Sequence, residues 1–193
     1  MEYEFSVLTD RGQARPNNED SLLVDSAHGL AVLADGMGGY NAGEVASGMA
    51  TSYIARELAR WLDLAGAQAN AREIRRALEI CVDNANRAIF NAANANPPYA
   101  GMGTTLVVGL FQGTRLLLGH IGDSRAYRLR AGKLEQITRD HSLLQEQLDR
   151  RHHRHNEQQH RDVRLRFLEG APAAADVQHV AALSGRCGGL LVE

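Results

Sequence analysis

Asp35 stands in the run Ala34-Asp35-Gly36-Met37-Gly38-Gly39, and fifteen residues earlier a second acidic turn reads Asn17-Asn18-Glu19-Asp20, with Arg15 just ahead of it. Carboxylates are hard oxygen donors that select hard divalent cations such as Mg²⁺ or Mn²⁺. A guanidinium fork matches a phosphate bidentately. Together they suggest a metal-assisted phosphate site. Asp35 follows the apolar run Leu30–Ala34, which predicts a buried strand whose carboxylate leaves the sheet at a turn where glycines let backbone approach a ligand. Asp20 heads Ser21-Leu22-Leu23-Val24, a second short run. If the two strands pair as a hairpin, Asp20 and Asp35 lie at one end of it, close enough to share ions. Taken alone, residues 35–39 are equally a glycine-rich turn, and Glu19-Asp20 a solvated loop or a helix cap; Arg15 beside them favours the site.

Other chemistries fit less well. With glycines at 36 and 38, a dinucleotide fingerprint needs a third at 41, where Asn41 stands. There is no lysine placed for a P-loop, and the alternating acids of an EF-hand are missing. Gly122-Asp123-Ser124-Arg125 has the composition of a hairpin turn. Asp123 nevertheless ends an apolar strand, Leu116–Ile121, as Asp35 does, so both carboxylates can emerge on one side of stacked sheets. His152, His153, His155 and His160 lack cysteine partners and match no zinc spacing. The arginines among them have no interleaved aromatic residue to stack on bases, so a solvated or unfolded segment is expected. Asp140, His141 and Ser142 contain the residue types of a triad, but adjacency in sequence is not triad geometry.

The elements that must position these residues alternate in period. Tyr3–Thr9 reads as a strand, followed by a polar loop and the hairpin above. From Gly43 the apolar residues Ala46, Ala50, Ile54, Leu58 and Trp61 recur every three or four positions, predicting an amphipathic helix of about four turns. Ile74, Leu78, Cys81, Val82, Ala85 and Ile89 predict a second helix, stopped by Pro97-Pro98. Strands at Thr104–Phe111, Arg115–Ile121, Arg125–Arg130 and Lys133–Ile137 form an antiparallel meander. The result is α+β, with helices covering antiparallel sheet. A short helix is expected from Asp140 or Ser142, burying Leu143, Leu144 and Leu148.

The 193 residues suffice for one sizeable core, and a net charge of −2 provides no field for nucleic acid or an anionic membrane. No apolar run approaches the roughly 18–20 residues of a membrane helix. The acidic start, Met1-Glu2-Tyr3-Glu4, predicts no secretory signal. Cys81 and Cys187 form no disulfide framework, so a reducing cytoplasm is the expected location.

Taken in order, seven segments resemble the metal-dependent protein phosphatases of the PP2C (PPM) type, especially the short bacterial serine/threonine phosphatases. They are Thr9–Gly12, Arg15–Asp20, Ala34–Gly39, Gly43–Ser47, Gly101–Thr105, Gly122–Arg125 and Asp140–Ser142. The resemblance covers about residues 3–149. It implies a β-sandwich of two antiparallel sheets flanked by helices, incomplete at the C-terminus, with a binuclear Mn²⁺ or Mg²⁺ centre at one end. It makes Asp35 the bridging ligand and the Gly36 carbonyl a ligand, places Asp20 and Glu19 at the first ion or its waters, and assigns Arg15 to substrate phosphate. Asp123 matches the acid that helps hold a third, weaker ion. Met37 stands where many eukaryotic members carry a histidine proposed as general acid, so the leaving group here takes its proton from water or elsewhere. The implied substrates are phosphoserine and phosphothreonine proteins, with a cognate kinase as a further partner; charge and hydropathy predict neither nucleic acid nor membrane as a partner.

The pattern then breaks. The family's later metal aspartates, in a Ser-Asp-Gly turn and an Asp-Asn turn, have no counterpart among Glu157, Asp162, Glu169, Asp176 and Glu193. Residues 1–149 therefore read as the phosphatase domain's N-terminal part. Residues 150–193 read as an atypical tail, frameshifted or disordered, whose stretch 150–166 holds six arginines and four histidines and no convincing strand or helix. The alternative to an active phosphatase is an inactive module or remnant lacking those aspartates.

Overall fold

The computed structural model describes residues 3–13, 17–38, 42–66 and 69–141, together with the strand segments 164–169, 179–183 and 188–192 of the tail. Strands β1 (Phe5–Thr9), β2 (Asp20–Asp25) and β3 (Leu30–Met37) precede two helices, α1 (Gly43–Ala65) and α2 (Ala71–Ala95). After these come β4 (Gly103–Thr104), β5 (Leu106–Gln112), β6 (Arg115–Ile121), β7 (Arg125–Arg130) and β8 (Lys133–Gln136). The tail adds β9 (Arg164–Glu169), β10 (His179–Leu183) and β11 (Gly188–Val192). One sheet runs β2-β3-β5-β6-β9 with β4 beside β3, and the other runs β1-β11-β10-β7-β8; each recorded pairing is antiparallel.

Alternation along the strands sorts their side chains into two cores. Leu30 and Val32 of β3, Leu106, Val108 and Leu110 of β5 and Leu117 of β6 pack with Ile54, Leu58, Ile74 and Leu78 of the helices. Ala31, Leu33, Val107, Leu116 and Leu118 point the other way and meet Phe5, Ala126 and Ala182 of the second sheet. Strands buried on both faces read as continuous apolar runs, which is why the sequence shows Leu30–Ala34 without alternation. Helix α2 starts with a capping box: the Asn70 side chain accepts from Arg72 N and Glu73 N, and Glu73 Oε2 accepts from Asn70 N at 3.1 Å.

The described structure corrects three expectations. The tail does carry strands: β9 extends the first sheet beside β6, and β10 and β11 fill the second between β7 and β1. His179–Leu183 and Gly188–Val192 show no alternation of polar and apolar residues, and here the ladder groups of β7 and β1 receive them as those of β6 receive β9. Helix α1 is 23 residues long, longer than four turns. Asp35 does not leave the sheet at a turn; it lies within β3, which continues to Met37 because Gly36 and Met37 pair with Thr104 and Gly103. The short helix expected after Asp140, and the histidine cluster, lie outside the described residues.

Candidate metal centre at the mouth of the sandwich

Register places the acidic residues. Asp20 lies directly opposite Asp35 in the β2–β3 ladder. Leu33 opposite Val107 carries the next rung to Asp35 and Thr105, and Leu106 opposite Ile121 carries it on to Thr105 and Gly122. Asp20, Asp35, Thr105 and Gly122 thus form one row across the end of the first sheet. Asp20 shares its face with Leu22 and Val24, and Asp35 shares its face with Leu33, all of which face the second sheet. The row therefore looks into the mouth of the gap between the sheets. Asp35 is buried, at 7% exposure, and the Oδ1 atoms of Asp20 and Asp35 are both closed to solvent.

The surrounding backbone is fixed by hydroxyl groups and by close approach. Asp35 N donates to Thr105 Oγ1 at 3.0 Å, Thr105 N donates to Asp35 O at 2.9 Å, and Thr104 Oγ1 donates to the same carbonyl at 3.0 Å. Toward the other edge of β3, Gly36 N donates to Glu19 O at 3.0 Å, and Ser47 Oγ of α1 donates to that carbonyl at 2.6 Å. Ser21 Oγ meets Thr51 Oγ1 at 2.7 Å. Buried Ser47 and Thr51 on an otherwise apolar helix face therefore pin α1 to β2 beside Glu19. A Cβ at Gly36 would lie 2.0 Å from Gly43 O, and one at Gly43 would lie 2.9 Å from Glu19 Cδ. The two glycines let the start of α1 close over β3 and leave room for the Glu19 carboxyl group.

Asp123 is exposed in the turn after β6, and its neighbours are anchored. Ser124 Oγ lies 2.7 Å from Thr105 Oγ1, the group that receives Asp35 N. Arg125 grips Asp140 through Nε at 3.0 Å and Nη2 at 2.6 Å. This pair holds the Asp140 carboxyl below the usual carboxylate range, chiefly through the Arg125 hydrogen bonds against the opposing effect of burial.

The structure brings Asp20 and Asp35 face to face, puts Glu19 and Gly36 at their side, and ties the Asp123 turn to Asp35 through Ser124 and Thr105. Arg15 lies outside the described residues. Among the described residues no three Asp, Glu, His or Cys side chains gather as a ligand set. The donors fit a hard divalent cation by their chemistry: two carboxylates opposed on one face of a sheet repel each other when ionised, and a cation in the mouth offsets that repulsion. Sequence reasoning assigned no role to Thr105, Ser124, His120 or His141. Thr105 and Ser124 fall within the motif segments, but they stand between strands, and a hydroxyl bridge there is visible only once the β5–β6 register is known. Burial pushes the Cys81 thiol up to about 11, so it is no nucleophile near neutral pH. A groove of about 610 Å³ between the helices, lined by Tyr53, Trp61, Leu64, Ile80 and Cys81 among others, contains none of the acidic site residues.

A helix-flanked sandwich of two antiparallel sheets with an acidic mouth is the class that fold and site define. The chain belongs to the protein phosphatase 2C family, whose model matches residues 11–183. It is 42% identical over 145 residues to the serine/threonine protein phosphatase PstP of Mycobacterium tuberculosis, covering 75% of this chain and 26% of that protein. It is 36% identical over 151 residues to the serine/threonine phosphatase stp of Listeria innocua, covering 77% and 58%. The chain thus spans about a quarter and somewhat over half of these relatives. Its fold superposes on the crystal structure of M. tuberculosis PstP with a TM-score of 0.78 and 28% identity, covering 100% of this chain and 97% of that one. A PstP catalytic domain in complex with two manganese ions matches at 0.75 and 27%, covering 99% and 96%.

Proposed function

We propose that the chain is a serine/threonine protein phosphatase module that hydrolyses phosphoserine and phosphothreonine esters with Mn²⁺ or Mg²⁺. The observation that carries this reading is the Asp20–Asp35 pair, half-buried Asp20 set opposite buried Asp35 at the mouth between the sheets. Asp35 and Asp20 would hold the ions, with Glu19 beside them and the Gly36 carbonyl at the same rung. Asp123 would help hold a third, weaker ion, and Arg15 would bind the substrate phosphate. When bound, the ions supply Lewis acidity to the phosphoryl group and ease deprotonation of the attacking water. The chain's own contribution is positional: Thr104 and Thr105 lock the Asp35 backbone, and the Gly36–Gly43 contact seats Glu19 against the start of α1. Arg15 would orient the ester and balance charge on its oxygens.

The printed names of the relatives, and the two manganese ions of the PstP complex, support the reaction class. Phosphoproteins are then the substrates and a serine/threonine kinase the opposing partner. No helix among the described residues is long and apolar enough to cross a membrane, and a cytoplasmic setting is proposed. We further propose that the phosphatase-like part ends near residue 149 and that residues 150–193 are an atypical, frameshifted tail. Translating the gene's other frames beyond codon 149 tests them, and absence of the missing aspartate turns from both rejects the frameshift.

The decisive measurement is Mn²⁺-dependent hydrolysis of an aryl phosphate and of a phosphothreonine peptide by the full chain. Turnover that Asp35→Ala abolishes supports the enzyme. Folded protein that neither turns over nor retains Mn²⁺ would reject it in favour of an inactive module.

A further inference from the structure

We infer that His141 is a positioning residue for the Asp123 turn, setting where that carboxylate stands relative to Asp35. The inference rests on the metal-binding reading of Asp123 given above. Gly122 is held at both ends of its backbone by one residue: His141 N donates to Gly122 O at 2.8 Å, and Gly122 N donates to His141 Nδ1 at 3.3 Å. Gly122 has φ +96°, and a Cβ there would lie 2.8 Å from Thr105 Cγ2, so the peptide is confined by Thr105 on one side and His141 on the other. On the far side of Asp123, Ser124 is fully buried and bonded to Thr105. Asp123 is thus an exposed residue hung between two anchored neighbours, and both anchors lead to Thr105, which binds the Asp35 backbone.

The imidazole is itself held in place. The His141 and His120 rings pack 4.7 Å apart, with His120 only 2% exposed on β6, and Asp140 is fixed by Arg125. Accepting from Gly122 N requires a bare Nδ1, which fixes the ring's tautomer with its proton on Nε2. A group that acts only as filler would not need an acceptor at the Nδ1 position.

That requirement makes the test specific. Asparagine places an oxygen near the former Nδ1 and glutamine places one nearer the former Nε2. Mn²⁺ binding to the full chain is read by electron paramagnetic resonance of the free ion, alongside amide hydrogen exchange at Gly122. Expected for His141→Ala is about a 10-fold weakening of the weakest Mn²⁺ site, the scale of losing a partner that orients a ligand. Gly122 N–H should exchange faster while Asp35 N–H stays protected. His141→Asn should restore most of the affinity and His141→Gln should not. In an Asp123→Asn background, His141→Ala should leave Mn²⁺ binding unchanged. If alanine prevents folding, the asparagine and glutamine variants carry the same comparison.

Equal behaviour of asparagine and glutamine, or the same loss with and without Asp123, overturns the inference while leaving Asp123 a ligand. Unaltered Mn²⁺ binding in Asp123→Asn alone overturns the metal reading of Asp123, and the positioning role falls with it.

Discussion

At the scale of single residues, the glycines divide by what a methyl group would meet. At Gly36 it would collide with backbone, so Gly36→Ala must push α1 away from β3. A loss of about 1–3 kcal/mol is expected, read as a lower denaturant midpoint with unchanged slope. Gly48, inside α1, has nothing within 4 Å of an added Cβ. Gly48→Ala should stabilise by about 0.5–1 kcal/mol. Thr105→Val keeps the shape but removes the acceptor of Asp35 N and the partner of Ser124. It should cost about 1–3 kcal/mol, and the cost should be less than additive with Ser124→Ala. The sequence made these glycines legible as a place where backbone comes close. What it comes close to was not legible, because Gly36 meets Gly43 only after a strand has been followed by the start of a helix. Asp20 and Asp35 were readable as a pair since a hairpin forces their register; Thr105 and Ser124 lie just outside the β5 and β7 runs, where alternation assigns no face, so their hydroxyl bridge was not.

Between elements, one side chain ties the β2–β3 hairpin to the far end of α1. His28 Nδ1 is 2.7 Å from Asp25 Oδ2 and Nε2 is 2.9 Å from Asp63 Oδ1. Carboxylates ordinarily accept, so a neutral imidazole, with one N–H, satisfies one of them and the imidazolium satisfies both. The hydrogen bonds to Asp63 and then Asp25 raise the His28 pKa above 6.5, against the smaller opposing effect of burial. The stabilisation is therefore fully present below about pH 6.5, the unfolded value, and is lost as pH rises through the higher folded value. The melting temperature of the native chain should fall relative to His28→Asn as pH increases over that range, and a constant difference would contradict it. Asp63 is 71% exposed, so added salt should shrink the effect. The helices and the meander were legible in the sequence because period and turn residues agree over long runs. The strands of 179–192 were not, since segments without alternation gain their identity from the sheet edges that receive them.

For the molecule as a whole, the second sheet depends on the tail. With β10 and β11 gone, β1 loses its partner and β7-β8 remain as an isolated hairpin, while β6 of the first sheet loses β9. A chain ended after Asp149 should bind a hydrophobic dye and melt without a cooperative transition, whereas the full chain should give one sharp transition by circular dichroism. A cooperative melt of the shortened chain would show that the first sheet and its helices stand alone. The phosphatase motifs lie in residues 3–149, yet the architecture is closed by residues 164–192, which carry none of them. Phe5 pairs with Val192 and Thr9 with Gly188, so the opening and closing strands of the described chain are neighbours. During synthesis β1 leaves the ribosome long before β11 exists, and the β2–β3 hairpin and helix pair can assemble from local contacts meanwhile. Closing the second sheet then carries the loop entropy of nearly the whole described chain. β1 is made long before its partner and is among the last strands to be paired.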